Sequence, residues 1–206
     1  MRLARLRGAR GFVPLIALLA LGAGMAGSLR RQGHAVHVFD LRSEVARAFA
    51  ADGGVACASL AELAAQCPVI VSVVVNAAQT DMVLFGGNGA AAAMKKGSVI
   101  ISSATMAPDD ARRLGAKAEA LGLLYLDAPI SGGAQRAAEG ALTILASGSA
   151  AAFAAARPAL KAMAANLYEL GSEAGQGAAS KMINQLLAGV HIAAAREGLA
   201  FAAKAG

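Results

Sequence analysis

The 206-residue sequence predicts an α/β fold, a mostly parallel sheet with helices on both faces. Three observations carry this. Short apolar runs alternate with helix-patterned stretches along most of the chain. The runs are continuously apolar, as in residues 69–75 (VIVSVVV), which is expected of strands covered on both faces. Alanine and glycine dominate a composition that is 57% hydrophobic and lacks tryptophan, which suits helices lying close on a sheet.

Strands are expected near residues 13–19, 35–39, 69–75, 98–102, 123–128 and 142–146, with weaker ones near 55–56 and 167–169. Helices are expected over 24–32, 43–51, 60–66, 108–121 and 151–165. Local chemistry supports these boundaries. Gly33 closes the first helix. Ser59 can cap the helix beginning at Leu60, with Glu62 in its first turn. Pro108 opens a helix whose positive end carries Asp109 and Asp110, and Gly122 closes it. From about Gly175 no strand pattern remains, and one apolar helix of about 30 residues, near 45 Å, is expected. A helix apolar around so much of its girth needs partners to bury it. The expected division is therefore a nucleotide-binding domain over 1–172, with residues 1–10 a basic leader, and the start of a truncated helical domain over 173–206.

The formal charge of +6 resides at the N-terminus. Before Asp40 the chain carries Arg2, Arg5, Arg7, Arg10, Arg30 and Arg31 and no acid, and from Asp40 onward thirteen bases balance thirteen acids. A nucleic-acid binder spreads its basic patch over the folded domain, so no nucleic-acid partner is expected. The apolar run after the leader has the layout of a signal peptide, but it is short and glycine-broken for a membrane span. The reading preferred here is a buried first strand, a cytoplasmic protein and no membrane partner. Cys57 and Cys67 have neither metal-ligand nor CxxC spacing, so no metal and no disulfide is expected. His34, His37 and His191 are scattered and read as surface or strand-end groups.

The stretch LGAGMAGSLRRQGHAVHVFD, residues 21–40, supplies the helix, second strand and terminal acid of a dinucleotide-binding unit. Counting back from Asp40 and Gly33 places the third glycine of the G-x-G-x-x-G fingerprint on Gly22, and the first two on Ala17 and Leu19. A rival register, Gly22-x-Gly24-x-x-Gly27, leaves too short a path to Gly33 for a helix. Gly24 and Gly27 also fit a packing role. Asp40 is placed to hold ribose hydroxyls and favours NAD over NADP, whose 2′-phosphate it would repel. Asn76 and Gln79, at the end of the central strand, can touch cofactor. Thr105 precedes a helix and fits either a cap or a ligand contact. Ser131, Gly132 and Gly133 follow a strand at once, where paired glycines let backbone turn sharply and approach a ligand. Lys181 and Asn184 fall at i and i+3 of one helix face. The apolar neighbours of Lys181 lower its pKa by desolvation, which suits a proton carrier near neutral pH. Together these groups can hold a small hydroxy acid and move its proton.

In DAPISGG followed by GAASKMIN, at that separation, and in SSATMAP upstream of them, the sequence resembles the β-hydroxyacid dehydrogenases, the family of 3-hydroxyisobutyrate dehydrogenase and tartronate semialdehyde reductase. KMINQLLAGVHIAAA leans toward the L-threonate dehydrogenase branch. The resemblance runs from about Gly22 to the chain end. It implies hydride transfer between a hydroxyl-bearing carbon of a small hydroxy acid and NAD. It implies Lys181 as acid/base, Ser131, Gly132 and Gly133 at the carboxylate, and Asn184 orienting the substrate. Cofactor would be lined by Gly22, Asp40, Val74, Val75, Asn76 or Gln79, and Thr105. It also implies an all-helical C-terminal domain that completes the site and forms a homo-oligomer, expected here only if that domain is present. Two departures stand out: the fingerprint is broken at Ala17 and Leu19, and the leader has no family counterpart. A fragment that is weakly active or inactive, kept as a dinucleotide-binding module, is therefore the alternative expectation.

Overall fold

The computed structural model describes residues 12–16 and 20–206. The leader over 1–10 and the fingerprint positions Ala17 and Leu19 lie outside the described residues. The elements follow in the order β1 (Phe12–Ile16), α1 (Ala20–Arg31), β2 (Ala35–Phe39), α2 (Ser43–Ala51), β3 (Val55–Ala56), α3 (Leu60–Ala65) and β4 (Val69–Ser72). Next come α4 (Ala77–Phe85), a 3-10 turn (Ala90–Ala93), β5 (Val99–Ser102), α5 (Pro108–Ala120) and β6 (Leu124–Asp127). The chain ends with β7 (Ile130–Ser131), α6 (Gly133–Glu139), β8 (Leu142–Ala146), α7 (Ala150–Met163), β9 (Ala164–Glu169) and α8 (Gln176–Ala205).

Strands β1 to β6 form one wholly parallel sheet in the order β3-β2-β1-β4-β5-β6. This is the doubly wound Rossmann order, in which ligands bind beyond the carboxyl ends of the strands where the order reverses, between β1 and β4. The remaining strands form a second sheet rather than extending the first. In it β7 pairs antiparallel and β9 parallel to β8. A bridge between Asp127 and Ser147 ties the two sheets.

The unbroken apolar strands divide their residues between two cores. In β4 and β5, Val69, Val71, Val99 and Ile101 join Met25, Leu29, Phe153 and Leu160 on the face covered by α1 and α7. Ile70 and Ile100 point the other way, onto Leu63, Leu84 and Leu114 of α3, α4 and α5. Burial of both sets is why no polar alternation shows in the sequence.

Several expected boundaries are met: Ser59 accepts the Glu62 N–H at 3.1 Å as N-cap of α3, Pro108 is in the first turn of α5, and Gly33 and Gly122 have left-handed φ. Others shift. The helix expected to reach residue 165 stops at Met163, and Ala164 already pairs with Leu142. Helix α4 occupies a stretch for which no element is expected from the sequence. His34 and His37 are buried instead of lying on the surface. His37 sits inside β2, where burial pushes its pKa down, with Nδ1 3.9 Å from Cys57 Sγ. Gly22, Gly24 and Gly27 all lie within α1, so the rival fingerprint register, which needs them in the strand–helix turn, is excluded.

Only the first turns of α8 are buried, at Gly177, Ala178 and Lys181. Beyond them Ile183, Leu186, Leu187, Val190, Leu199 and Phe201 are exposed. The helix is long and apolar enough to cross a membrane, and the same apolarity is needed by a helix packed among other helices.

Candidate active site

At the adenosine end, Asp40 follows β2 directly. Its Oδ1 accepts the Arg42 N–H at 2.9 Å, with Arg42 Nε 3.5 Å away. Beside it opens a cavity of about 460 Å³ lined by Phe39, Asp40, Leu41, Ser43, Arg47 and Cys57, among others. Leu41 stands 89% exposed at its edge. Burial, with a smaller contribution from Glu62, pushes the Cys57 thiol up to about 11, so this cysteine is protonated and inert at neutral pH. Gly22 is buried in the first turn of α1.

At the β4 edge, Asn76 is the N-cap of α4. Its Oδ1 accepts the Gln79 N–H at 3.0 Å, and Gln79 Oε1 accepts the Val75 N–H at 3.0 Å. This reciprocal capping box uses both side chains that the sequence offered for cofactor, and it pins the Val74–Val75 backbone. Val74 is half-buried and Val75 exposed. Thr105 is exposed between β5 and α5. It does not cap α5, because the N-cap is Ala107, which offers no side-chain acceptor.

At the third edge, Ser131 ends β7 opposite Thr143 of β8, and Gly133 opens α6. The two-glycine bend is a strand-to-helix turn. Gly132 has φ 131° and Gly133 φ 75°, both in the region that favours glycine. A Cβ at Gly132 would also stand 2.8 Å from Arg136 Cβ, so this turn tolerates no side chain there.

Lys181 lies one turn into α8 and is only 6% exposed. Burial in its apolar setting pushes the amine below the usual lysine range. Asn184, three residues on, is exposed. The first turns of α8 pack on β6, β8 and α5, and Ser131 pairs with β8. The turn and the first turns of α8 thus both adjoin β8.

Sequence reasoning singled out neither Asp127 nor Ser147. The two residues exchange backbone hydrogen bonds of 3.0 and 2.8 Å. Asp127 Oδ2 accepts the N–H groups of Gly175 at 2.9 Å and Ala178 at 2.8 Å, and Ser147 Oγ accepts that of Gly177 at 2.9 Å. A Cβ at Gly177 would meet the Asp127 carbonyl oxygen at 2.8 Å, so α8 sits directly on the strand end. No local pattern betrays partners 48 and 51 residues apart.

Residues 13–171 match the family described as the NAD binding domain of 6-phosphogluconate dehydrogenase. The chain is 53% identical to the L-threonate dehydrogenase of Cupriavidus necator over 94% of its own length and 65% of that protein's. It is 32% identical to the 3-hydroxyisobutyrate dehydrogenase of Pseudomonas aeruginosa over similar shares, 94% and 65%. Among solved structures, one described as 3-hydroxyisobutyrate dehydrogenase from Salmonella typhimurium superposes with a TM-score of 0.88 at 44% identity, covering 95% of this chain and 68% of that one. The chain therefore spans about 65% of the length of the curated relatives it matches.

Proposed function

The chain belongs to the β-hydroxyacid dehydrogenases, and from that membership we propose that it serves the oxidation of a small 3-hydroxy acid, of the L-threonate or 3-hydroxyisobutyrate class, by NAD. The observation that carries this reading is Lys181, an amine buried at the start of a helix that seats on the strand leading to the Ser131–Gly133 turn.

The residues fit a dinucleotide at the adenosine end. The cavity beside Asp40 lies at the carboxyl end of β2, and Asp40 ends that strand as a ribose-binding acid does. Asp40 supports NAD over NADP. Val74, Val75, Asn76 or Gln79, and Thr105, at the ends of β4 and β5, would line the nicotinamide half. Bound NAD supplies the hydride acceptor for the hydroxyl-bearing carbon. Ser131 and the N–H groups at Gly132 and Gly133 bind the substrate carboxylate, and Asn184 orients the hydroxyl. Lys181, its amine pushed below the usual lysine range by burial, takes the hydroxyl proton on oxidation and returns it on reduction.

Residues 1–172 are read as the nucleotide-binding domain and 173–206 as the opening of an all-helical unit. That unit would cover the apolar faces of α8 and support a family-type homo-oligomer in the cytoplasm. A second reading, a weakly active or inactive chain, is favoured by Ala17 and Leu19, because a side chain at the second glycine position would occupy the pyrophosphate's place.

Calorimetric titration with NAD and NADP, together with oxidation of L-threonate and 3-hydroxyisobutyrate by wild type and Lys181→Ala, tests the assignment. Loss of turnover in the variant is expected, and equal rates would overturn the lysine's role. Micromolar NAD binding by wild type would refute the second reading, and weak or absent binding would favour it. Ala17→Gly with Leu19→Gly should strengthen NAD binding.

A further inference from the structure

We propose that Asp127 is a positioning residue: its carboxylate fixes the first turn of α8, and with it the Lys181 amine, to the strand end from which the 131–133 turn departs. The inference rests on the proposed function for what the positioning serves, but the anchoring stands on geometry alone.

Asp127 is fully buried, four residues before Ser131. Its Oδ2 holds two N–H groups of the α8 start, Gly175 and Ala178, and Ala178 lies three residues before Lys181. Helix α8 has no side-chain cap of its own, since its N-cap is Gly175, in the left-handed region with φ 101°. The N–H groups that a helix start leaves unpaired are met from another strand instead. Ser147, bonded to Asp127 through the backbone, takes the intervening Gly177 N–H. Three successive anchors thus set the axial position and rotation of α8 immediately before the lysine.

Among the described residues the carboxylate serves this role and makes no ion pair, and its Oδ1 is buried with no hydrogen-bond partner. Burying a carboxylate is costly, and here only the α8 N–H groups, the Ser147 hydroxyl and the positive end of the helix dipole offset the cost. Burial raises the Asp127 pKa, and hydrogen bonds from Ala178, Gly175 and Ser147 oppose that rise. What the site uses is an acceptor at one oxygen, which the carbonyl of an amide also provides.

The test compares wild type, Asp127→Ala and Asp127→Asn in the full chain. The first readout is acetylation of each lysine by acetic anhydride, followed by mass spectrometry, with exposed Lys95 and Lys96 as internal references. Asp127→Ala is expected to raise Lys181 labelling severalfold while the references do not change. Asp127→Asn is expected to restore the wild-type rate. The second readout is turnover. In Asp127→Ala, kcat should fall by about 10- to 100-fold, the scale set by a 1 Å misplacement, with NAD affinity at the Asp40 end unaffected. Unchanged Lys181 labelling in a folded Asp127→Ala protein overturns the inference. Should that variant not fold, Ser147→Ala removes one anchor and should raise the labelling by a smaller step, and no rise overturns it. If wild type does not turn over, the functional reading fails, and labelling alone then decides the positioning.

Discussion

Gly24 of α1 and Ala138 of α6 approach so closely that a Cβ at residue 24 would stand 2.7 Å from the Ala138 backbone nitrogen. Arg31 of α1 donates to the Ala138 carbonyl, and Ser28 Oγ donates to the Ala162 carbonyl at 2.6 Å. The helix of the dinucleotide unit is thus locked to the helix that begins at Gly133. A side chain at residue 24 meets backbone rather than a flexible tip, so α6 must move. Gly24→Val is expected to cost about 1–3 kcal/mol, as overpacking does. Because α6 carries the Gly132–Gly133 bend on its first turn, KM for the hydroxy acid should rise more than the NAD dissociation constant. Chemical denaturation and steady-state kinetics check both. Wild-type stability would show that the interface is looser than the structure has it.

Lys181 gives a prediction about stability as well as rate. Its folded pKa lies below the ordinary 10.5, so between the two values the unfolded chain binds the proton more readily. Stability then rises with pH through that window, and at neutral pH the buried amine costs stability. Lys181→Met keeps the length and removes the charge. Its melting temperature should exceed that of wild type at pH 7, with the gap closing toward pH 10.5, while turnover is lost. Calorimetric melting at several pH values reads this, and a lower melting temperature at pH 7 would count against a desolvated amine.

Asp40 tests the cofactor preference. Asp40→Ala removes the acid proposed to hold the ribose and releases Arg42, with Arg47 already lining the same cavity. The NAD-to-NADP affinity ratio should fall by about tenfold or more, or 1.4 kcal/mol. Paired calorimetric titrations measure the ratio. An unchanged ratio would place the 2′-position away from Asp40.

The parallel sheet was legible because its strands are apolar runs bounded by Gly33, Ser59, Pro108 and Gly122, all of which act as punctuation in the structure. Helix α4 was not read, although Asn76-x-x-Gln79 spells a capping box. It follows β4 closely, and its apolar residues, Met82, Val83, Leu84 and Phe85 among them, fall on successive faces, so no amphipathic period shows. Strand β7 and helix α6, two and seven residues long, are shorter than periodicity can resolve. Lys181, Ser131 and the glycine bend were legible as motifs, because each rests on local spacing. The Asp127 anchor was not, because its partners are brought together only by the fold.

The Asn76–Gln79 box separates a structural role from a ligand role at the β4 edge. Asn76→Ala removes the acceptor for the Gln79 N–H and should cost about 1 kcal/mol, as N-cap losses do. For a chain of this size that lowers the melting temperature by about 2–4 °C. Gln79→Glu behaves differently. The carboxylate still accepts the Val75 N–H and now stands at the positive end of α4, so stability should hold or rise slightly. Its negative charge would also lie beside the strand end proposed to line the dinucleotide phosphates and nicotinamide. NAD affinity should therefore drop by about tenfold, 1.4 kcal/mol, in a protein that melts no earlier than wild type. Thermal melting and calorimetric titration of this one variant give both numbers. Retained affinity with retained stability would confine Asn76 and Gln79 to capping and detach the β4 edge from the cofactor.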